Sequence, residues 1–187
     1  MAKEMRSGYT TGACAAAGTK AALLFLDGEY CEKVTIMALD GTPLHIPIQE
    51  VIRTPSGARA EVVKFSGDDP DITNGVSVFT EVVVRSDGSG VHFHAGRGIG
   101  TVTKPGLSVP PGEPSINPGP RQLIRNVIEE MTGRTDTGAR VTIAIPAGVE
   151  LAKKTLNPVL GIEGGISVIG TTGVLRPMSE EAFKDSL

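Results

Sequence analysis

An acidic turn carries the residues best suited to acid–base chemistry. Asp68, Asp69 and Asp71 lie within four positions of each other, between two predicted strands. Carboxylates so close together can act as a general base, hold ribose hydroxyls or bind a cation. A solvated acidic turn is the alternative interpretation. From this segment we take Asp68 and Asp69 as the candidate catalytic residues.

The start of a predicted helix offers a second candidate site. Its Ala-rich sequence predicts a helix over about residues 12–27. Thr10, Thr11 and Gly12 lead into it, where backbone N–H groups and the helix dipole favour a carboxylate or a phosphate. An ordinary threonine cap is the alternative, and the spacing of a phosphate-binding P-loop is absent. We expect Cys14 to be a small buried thiol, because no histidine lies near it in the sequence.

Three further segments offer groups that could bind a ligand. A glycine-rich, flexible loop that ends in a lysine could close over an anionic ligand. An arginine at a helix start suits a carboxylate, which a guanidinium can hold with two hydrogen bonds. A buried strand that runs into a Gly/Thr turn is a common place for a ligand. Rigid connectors and tight packing are the alternatives. The candidate binding residues from these segments are Gly98, Gly100, Lys104, Asn117, Arg121, Thr171 and Thr172.

Composition and charge exclude several classes of protein. Only 4% of the 187 residues are aromatic and the net charge is −3, so we expect no nucleic-acid partner. The longest apolar runs are far too short to cross a membrane, so we expect no membrane partner. Two cysteines and no sign of secretion favour reduced thiols in a cytoplasmic protein. His92 and His94 share a strand face, but no third ligand is evident, so no metal site is predicted.

The predicted strands and helices do not alternate strictly along the chain, which favours an α+β fold. An apolar stripe predicts a helix over residues 120–131, and a shorter helix is predicted over 150–156. Strands are predicted over 34–36, 45–48, 60–65, 76–85, 91–95, 141–145 and 166–169. The turn at 87–90 predicts a hairpin between the two strands that flank it. We expect one domain over residues 1–187, a two-layer mixed or antiparallel sheet with packed helices, and the start of a last helix at 179–187.

Several short segments, each weak alone, form a specific combination when taken in chain order. They are GYTTGACAAA (8–17), GDDPD (67–71), GIGTVTKPGL (98–107), GEP (112–114), INP (116–118), KTLNP (154–158), LGI (160–162), GGISVIGTTG (164–173) and PMS (177–179). In this order they resemble the CbiD family, the cobalt-precorrin-5B C1-methyltransferases of anaerobic cobalamin biosynthesis. The resemblance covers nearly the whole chain.

The resemblance implies a CbiD-like fold and an enzyme that methylates C1 of cobalt-precorrin-5B to give cobalt-precorrin-6A. S-adenosylmethionine is the implied co-substrate, cobalt enters only as part of the corrinoid substrate, and a homo-oligomer is left open. Family members continue past residues 177–179 into a further α/β part, so we expect a truncated form that lacks it. The alternatives are a non-catalytic tetrapyrrole-binding or assembly domain, and a nucleotide-dependent kinase, against which the missing P-loop spacing argues.

Overall fold

A five-stranded mixed sheet organises the described part of the chain, residues 3–177 of a computed structural model. In spatial order its strands are β4 (Glu50–Arg53), β5 (Ala58–Val63), β6 (Ser77–Arg85), β10 (Gly138–Ala144) and β7 (Val91–Ala95). Neighbouring strands are antiparallel except β10 and β7, which run parallel. The buried side chains of the three central strands are mainly valine and isoleucine, which pack well on a pleated surface, together with the smaller alanine. Strand β4 was not predicted.

Helix α1 (Thr11–Leu26) packs against β5 and β6. It begins within one residue of the prediction, because Thr10 Oγ1 accepts the N–H of Ala13 at 3.1 Å and so caps the helix. Most of its buried residues are alanine or glycine, which allows the helix axis to lie close to the strands. At Gly18 a Cβ atom would lie 3.0 Å from Thr80 Oγ1, so this contact leaves little room for a side chain.

Helix α2 (Pro118–Thr132) completes the second layer by packing against α1. Its buried stripe consists of Leu123, Ile124, Val127 and Ile128. The helix ends at Gly133, whose φ of +69° is the left-handed conformation that favours glycine. The helix predicted over 120–131 is therefore confirmed with a slightly earlier start. The mixed sheet and its two packed helices also confirm the predicted α+β class.

The predicted hairpin between β6 and β7 is wrong, because β10 lies between these two strands. Ala139, Val141 and Ile143 of β10 are completely buried, as expected of a strand with a neighbour on each side. His92 and His94 of β7 are exposed, which suits an edge strand. The connecting residues 86–90 span two inter-strand spacings, about 10 Å, which five residues reach easily.

The remaining elements are short. A separate hairpin of β2 (Lys33–Met37) and β3 (Pro43–Pro47) confirms the strand pair predicted near the start of the chain. The other elements are β1 (Gly8–Tyr9), β8 (Gly98–Ile99), β9 (Thr101–Val102), α3 (Gly148–Leu151), a 3-10 turn (Ala152–Lys154), α4 (Asn157–Leu160), β11 (Ile162–Glu163), β12 (Gly165–Ile166) and β13 (Val174–Leu175). β1 pairs with β13, β9 with β11, and β8 with β12.

The strand predicted over residues 166–169 forms only in part, because its hydrogen-bond partners change along its length. β12 pairs with β8, and Val168 then forms a bridge to Ile116. Next, the carbonyl of Ile169 accepts the N–H of Gly12 at 2.9 Å. One extended segment therefore connects β8, the residues before α2 and the start of α1.

Two further expectations concern helices. The short helix predicted over 150–156 is divided into α3 and the 3-10 turn that follows it. The start of a helix predicted over 179–187 lies outside the described residues. Within residues 3–177, no helix is long and apolar enough to cross a membrane, and no group of three or more His, Cys, Asp or Glu side chains could hold a metal ion.

The hydroxyl of Thr80 gives a test of the packing between α1 and the sheet. Thr80 Oγ1 is buried and has no hydrogen-bond partner among the described residues. Because an unpaired buried hydroxyl is costly, we expect Thr80→Val to raise the free energy of unfolding by about 1 kcal/mol, measured by urea denaturation. Thr80→Ser keeps the hydroxyl but removes a methyl group, so it should lower stability. A valine variant less stable than the wild type would contradict this account.

Candidate functional site

A cavity of about 780 Å³ lies where α1 and α2 begin. This volume falls within the range of small-molecule sites. Its polar wall includes Thr10, Thr11, Lys64, Asp71, Asn117, Ser167 and Thr171. Its apolar wall includes Ile72, Ile166, Ile169, Val174 and Leu175. A largely apolar cavity with a few polar groups can orient a small ligand and exclude water from it.

Close contacts at three glycines bring the two helix starts together. At Gly12 a Cβ atom would lie 2.6 Å from Cγ of Pro120, at the start of α2. At Gly119 a Cβ atom would overlap the carbonyl oxygen of Gly170. Gly170 has a φ of +147°, and a Cβ atom there would overlap the hydroxyl of Thr10. Only glycine permits these approaches, so the three positions fix the wall of the cavity.

The two helix starts differ in how their polar groups are used. At α1 the N–H of Gly12 binds the carbonyl of Ile169, and Thr11 Oγ1 accepts the N–H of Ile169 at 3.0 Å. At α2 the side chain of Asn117 makes no cap hydrogen bond. Within residues 3–177, neither that side chain nor the N–H of Gly119 has a hydrogen-bond partner. The start of α2 therefore offers free donors to a ligand, whereas the start of α1 is largely satisfied.

A buried ion pair forms another part of the wall. The side chain of Lys64 is only 2% exposed, and its Nζ donates to Ser66 Oγ at 2.7 Å and to Asp71 Oδ2 at 3.1 Å. Asp71 Oδ1 accepts both the N–H and the hydroxyl of Thr73, at 2.7 and 2.6 Å. Burial acts to raise the pKa of Asp71, but the hydrogen bonds from Thr73 and the ammonium of Lys64 outweigh it and lower that pKa below its ordinary value.

The structure brings some of the predicted site residues to the cavity. Thr10, Thr11, Asn117 and Thr171 line it, although they come from three separate parts of the sequence. Gly12 lies at the same helix start, where it contacts Pro120 rather than the cavity. These residues gather because the segment before α2 and the turn at 170–173 both meet α1.

The two predicted catalytic carboxylates do not line the cavity. Asp68 Oδ1 lies 2.9 Å from Nη2 of Arg6, and Oδ2 accepts the backbone N–H of Arg6 at 2.6 Å. Hydrogen bonds from Arg6 hold the pKa of Asp68 below its ordinary value. The side-chain hydrogen bonds of this turn within residues 3–177 belong to Asp68 and Asp71, and none involves the carboxylate of Asp69. Asp71 is the carboxylate of this turn that reaches the cavity.

The expected flexible glycine loop is instead part of the packed core. Gly98 lies in β8 and Gly100 directly after it, and both are buried. A Cβ atom at Gly98 would overlap the carbonyl oxygen of Ile145, and one at Gly100 would overlap a methyl group of Ile162. Glycine is needed here for close packing. Lys104 is exposed, outside the cavity wall, with its Nζ 3.5 Å from the carbonyl oxygen of Val159.

Two other predicted binding residues have internal partners. Arg121 donates from Nε to the carbonyl of Ile116 at 2.7 Å and from Nη2 to that of Pro114 at 3.1 Å. Its guanidinium also lies over the ring of Phe93, 5.2 Å from the centroid. Thr172 Oγ1 accepts the N–H of Val174 at 3.2 Å. Arg121 therefore holds the segment before α2 in place, and neither Arg121 nor Thr172 lines the cavity.

Sequence analysis missed Lys64. Ala60 and Val62 precede it at alternating positions on the buried face of β5, and Lys64 continues that face. A lysine at the end of a buried face is unusual and would have pointed to this residue. The expectation for Cys14 is confirmed: its thiol is completely buried, and burial raises its pKa far above the ordinary value.

The fold is that of an α+β protein in which a cavity of small-molecule size lies at two helix starts. The chain belongs to the CbiD family, which matches it over residues 1–177. It is 51% identical to the cobalt-precorrin-5B C(1)-methyltransferase of Syntrophotalea carbinolica, over 98% of this chain and 51% of that one. It is 50% identical to the protein of the same name from Methanocaldococcus jannaschii, over 99% of this chain and 51% of that one.

A solved structure gives the same assignment. The crystal structure of the cobalamin biosynthesis protein CbiD from Archaeoglobus fulgidus matches with a TM-score of 0.71 and 30% sequence identity. The match covers 97% of this chain and 58% of that one. The chain thus spans about half the length of the curated relatives that it matches.

Asp71 gives the site a pH-dependent contribution to stability. Its pKa is lower in the folded chain than in the unfolded chain, so this contribution is fully present above the unfolded pKa of about 4 and is lost as the pH falls through the folded pKa. We expect Asp71→Asn to reduce the fall in the free energy of unfolding between about pH 5 and about pH 3, measured by urea denaturation.

Asp69→Asn is the matched control for this experiment. It removes a carboxylate from the same turn, and the side-chain hydrogen bonds of that turn in the described structure involve Asp68 and Asp71 but not Asp69. Its stability should fall with acid in parallel with that of the wild type. A wild-type curve parallel to that of Asp71→Asn would show that Asp71 titrates alike in the folded and unfolded chains.

Proposed function

We propose that the protein to which these residues belong transfers a methyl group from S-adenosylmethionine to C1 of cobalt-precorrin-5B, giving cobalt-precorrin-6A. The observation that carries the proposal is the identity of about half of the residues, over nearly the whole chain, to relatives named for this reaction. The cavity supports it, because its volume suits a small-molecule ligand.

The cavity fits the physical demands of a methyl transfer. The bond from sulfur to the methyl carbon breaks as the bond from that carbon to C1 forms, so donor and acceptor must be aligned and shielded from water. We assign Asn117 and Thr171 to direct ligand contact, and Thr10 and Thr11 to shaping the wall, because the hydroxyls of Thr10 and Thr11 already have partners within the chain. The apolar wall, with Ile72, Ile166 and Ile169 among its residues, would exclude water.

The role of the acidic turn stays a prediction. Asp68 and Asp69 could serve as a base or hold the ribose of the donor. For Asp68 to do either, its hydrogen bonds with Arg6 would have to open, because both carboxylate oxygens accept from that residue. Gly98, Gly100, Lys104, Arg121 and Thr172 also stay predictions, and any contact that they make with a ligand would lie outside the cavity wall.

The second candidate function is a non-catalytic tetrapyrrole-binding or assembly role. The relatives named for the methyl transfer are about twice as long as the part that this chain matches, so their names describe the activity of the whole proteins. In that case the corrinoid would bind to these residues, and the donor would bind to the part of the relatives that this chain does not match.

The two functions predict different binding. We expect saturable calorimetric binding of S-adenosylmethionine to the 187-residue chain. Incubation with the donor and cobalt-precorrin-5B should give a corrinoid one methyl group heavier by mass spectrometry. Asn117→Ala should weaken ligand binding by about tenfold, because it removes a free hydrogen-bonding group from the cavity. Lys33→Ala, an exposed change outside the cavity wall at a residue with no predicted role, is the control.

The Syntrophotalea carbinolica relative, tested in parallel, shows whether the assay itself works. If that protein methylates the corrinoid while this chain binds only the corrinoid, the non-catalytic role is supported. If this chain binds neither ligand, both candidate functions are contradicted for these residues.

A further inference from the structure

A buried lysine in the cavity wall has one donor to spare. A protonated lysine carries three N–H donors. Two of those on Lys64 are used, by Ser66 Oγ and Asp71 Oδ2, and the third has no acceptor within residues 3–177. The side chain is almost completely buried, yet Lys64 belongs to the cavity wall. Because Lys64 lines the cavity and its side chain is almost closed to solvent, a ligand in the cavity is the partner that could satisfy the spare donor.

The groups around this ammonium hold it in a fixed position. Asp71 accepts three hydrogen bonds, two from Thr73 and one from Lys64, so it has little capacity for a ligand. The N–H of Ser66 donates to Asn74 Oδ1 at 3.0 Å, and that bond ties the start of the acidic turn to its end. The turn thus acts as a rigid bracket for the lysine, which reduces the entropy lost when a ligand binds.

The balance of charges and donors in the wall favours an anionic ligand group. Lys64 and Asp71 are the two charged residues among those that line the cavity within residues 3–177, and they neutralise each other. The groups left free within these residues include three donors: the third N–H of Lys64, the N–H of Gly119 and the NH2 of Asn117. The amide oxygen of Asn117 and the hydroxyl of Thr171 can also accept, but neither carries a charge. The positive end of the 15-residue helix α2 lies at the same wall.

We propose that Lys64 binds a carboxylate of the ligand that occupies this cavity, and that Ser66 and Asp71 position its ammonium. A carboxylate would satisfy the buried N–H with a charge-assisted hydrogen bond, which a neutral group provides less well. This inference rests on the proposed function, which supplies two carboxylate sources. One is the amino-acid tail of S-adenosylmethionine, and the other is an acid side chain of the corrinoid.

Two pairs of probes test the proposal and distinguish the sources. The first pair is S-adenosylmethionine and its decarboxylated form. The second pair is cobyrinic acid and its fully methyl-esterified form. Within one of these pairs, the wild-type chain should bind the carboxylate-bearing member about tenfold more tightly or better, measured by calorimetric titration. The pair that shows this preference identifies the source of the carboxylate.

Variants then connect the preference to the lysine. Lys64→Met alone would leave the carboxylate of Asp71 half-buried without its ion-pair partner, so the double variant Lys64→Met/Asp71→Asn keeps the test valid if the single variant fails to fold. Both should bind the two members of the responding pair with equal affinity. Lys33→Met removes an exposed lysine outside the cavity wall and should keep the wild-type preference.

The outcomes separate this inference from the proposed function. A wild-type chain that binds both members of each pair equally would overturn the role of Lys64 and leave the proposed function standing. A double variant that keeps the preference would do the same. A wild-type chain that binds neither S-adenosylmethionine nor cobyrinic acid would contradict the proposed function, and the inference with it.

Discussion

Glycines at two helix starts and one turn let the backbone approach more closely than any side chain would allow, and the rest of the site depends on that approach. Gly12 lies against Pro120, which joins the start of α1 to the start of α2. Gly119 and Thr10 both lie against Gly170. Because α1 also packs on β5 and β6 through alanine and glycine, the cavity is held in a fixed position relative to the sheet. A methyl group at one of these glycines would push apart the elements that form the wall.

Some polar groups of this wall have hydrogen-bond partners within the described part of the chain, and others have none there. The groups without partners are the ones that can bind a ligand. At α1 the chain uses its own carbonyls and hydroxyls, so Thr10 and Thr11 act first as structural residues. At α2 two prolines remove N–H groups, and the N–H of Gly119 stays free among the described residues. The backbone N–H of Asn117 donates to the carbonyl of Val168, but its side-chain amide stays free among them. Lys64, directly after β5, adds a charged donor to the same wall. Polar groups left free in an otherwise well-bonded structure are the ones that a ligand can satisfy.

The composition and end residues of the helices were enough to predict them. The pairing of the strands was harder to predict, because it depends on residues far apart in the chain. Helix α1 followed from its alanine content and the threonine before it, and α2 from its apolar stripe and Gly133. The hairpin prediction failed because nothing in the turn at 86–90 reveals that β10, fifty residues later, inserts between its strands. Of the candidate binding residues, those at predicted helix starts, such as Thr11 and Asn117, line the cavity. Lys64 was missed because its burial depends on which face of β5 the helix covers.

The central claim is that the cavity at the two helix starts holds the ligand. The most direct test is a crystal structure of the chain with S-adenosylmethionine and cobyrinic acid bound. We expect electron density for one of them between the starts of α1 and α2, with a carboxylate oxygen within hydrogen-bond distance of Lys64 Nζ. Ligand density beside Lys104 and Gly100, with none in the cavity, would contradict this claim. The ligand site would then lie at the glycine-rich segment.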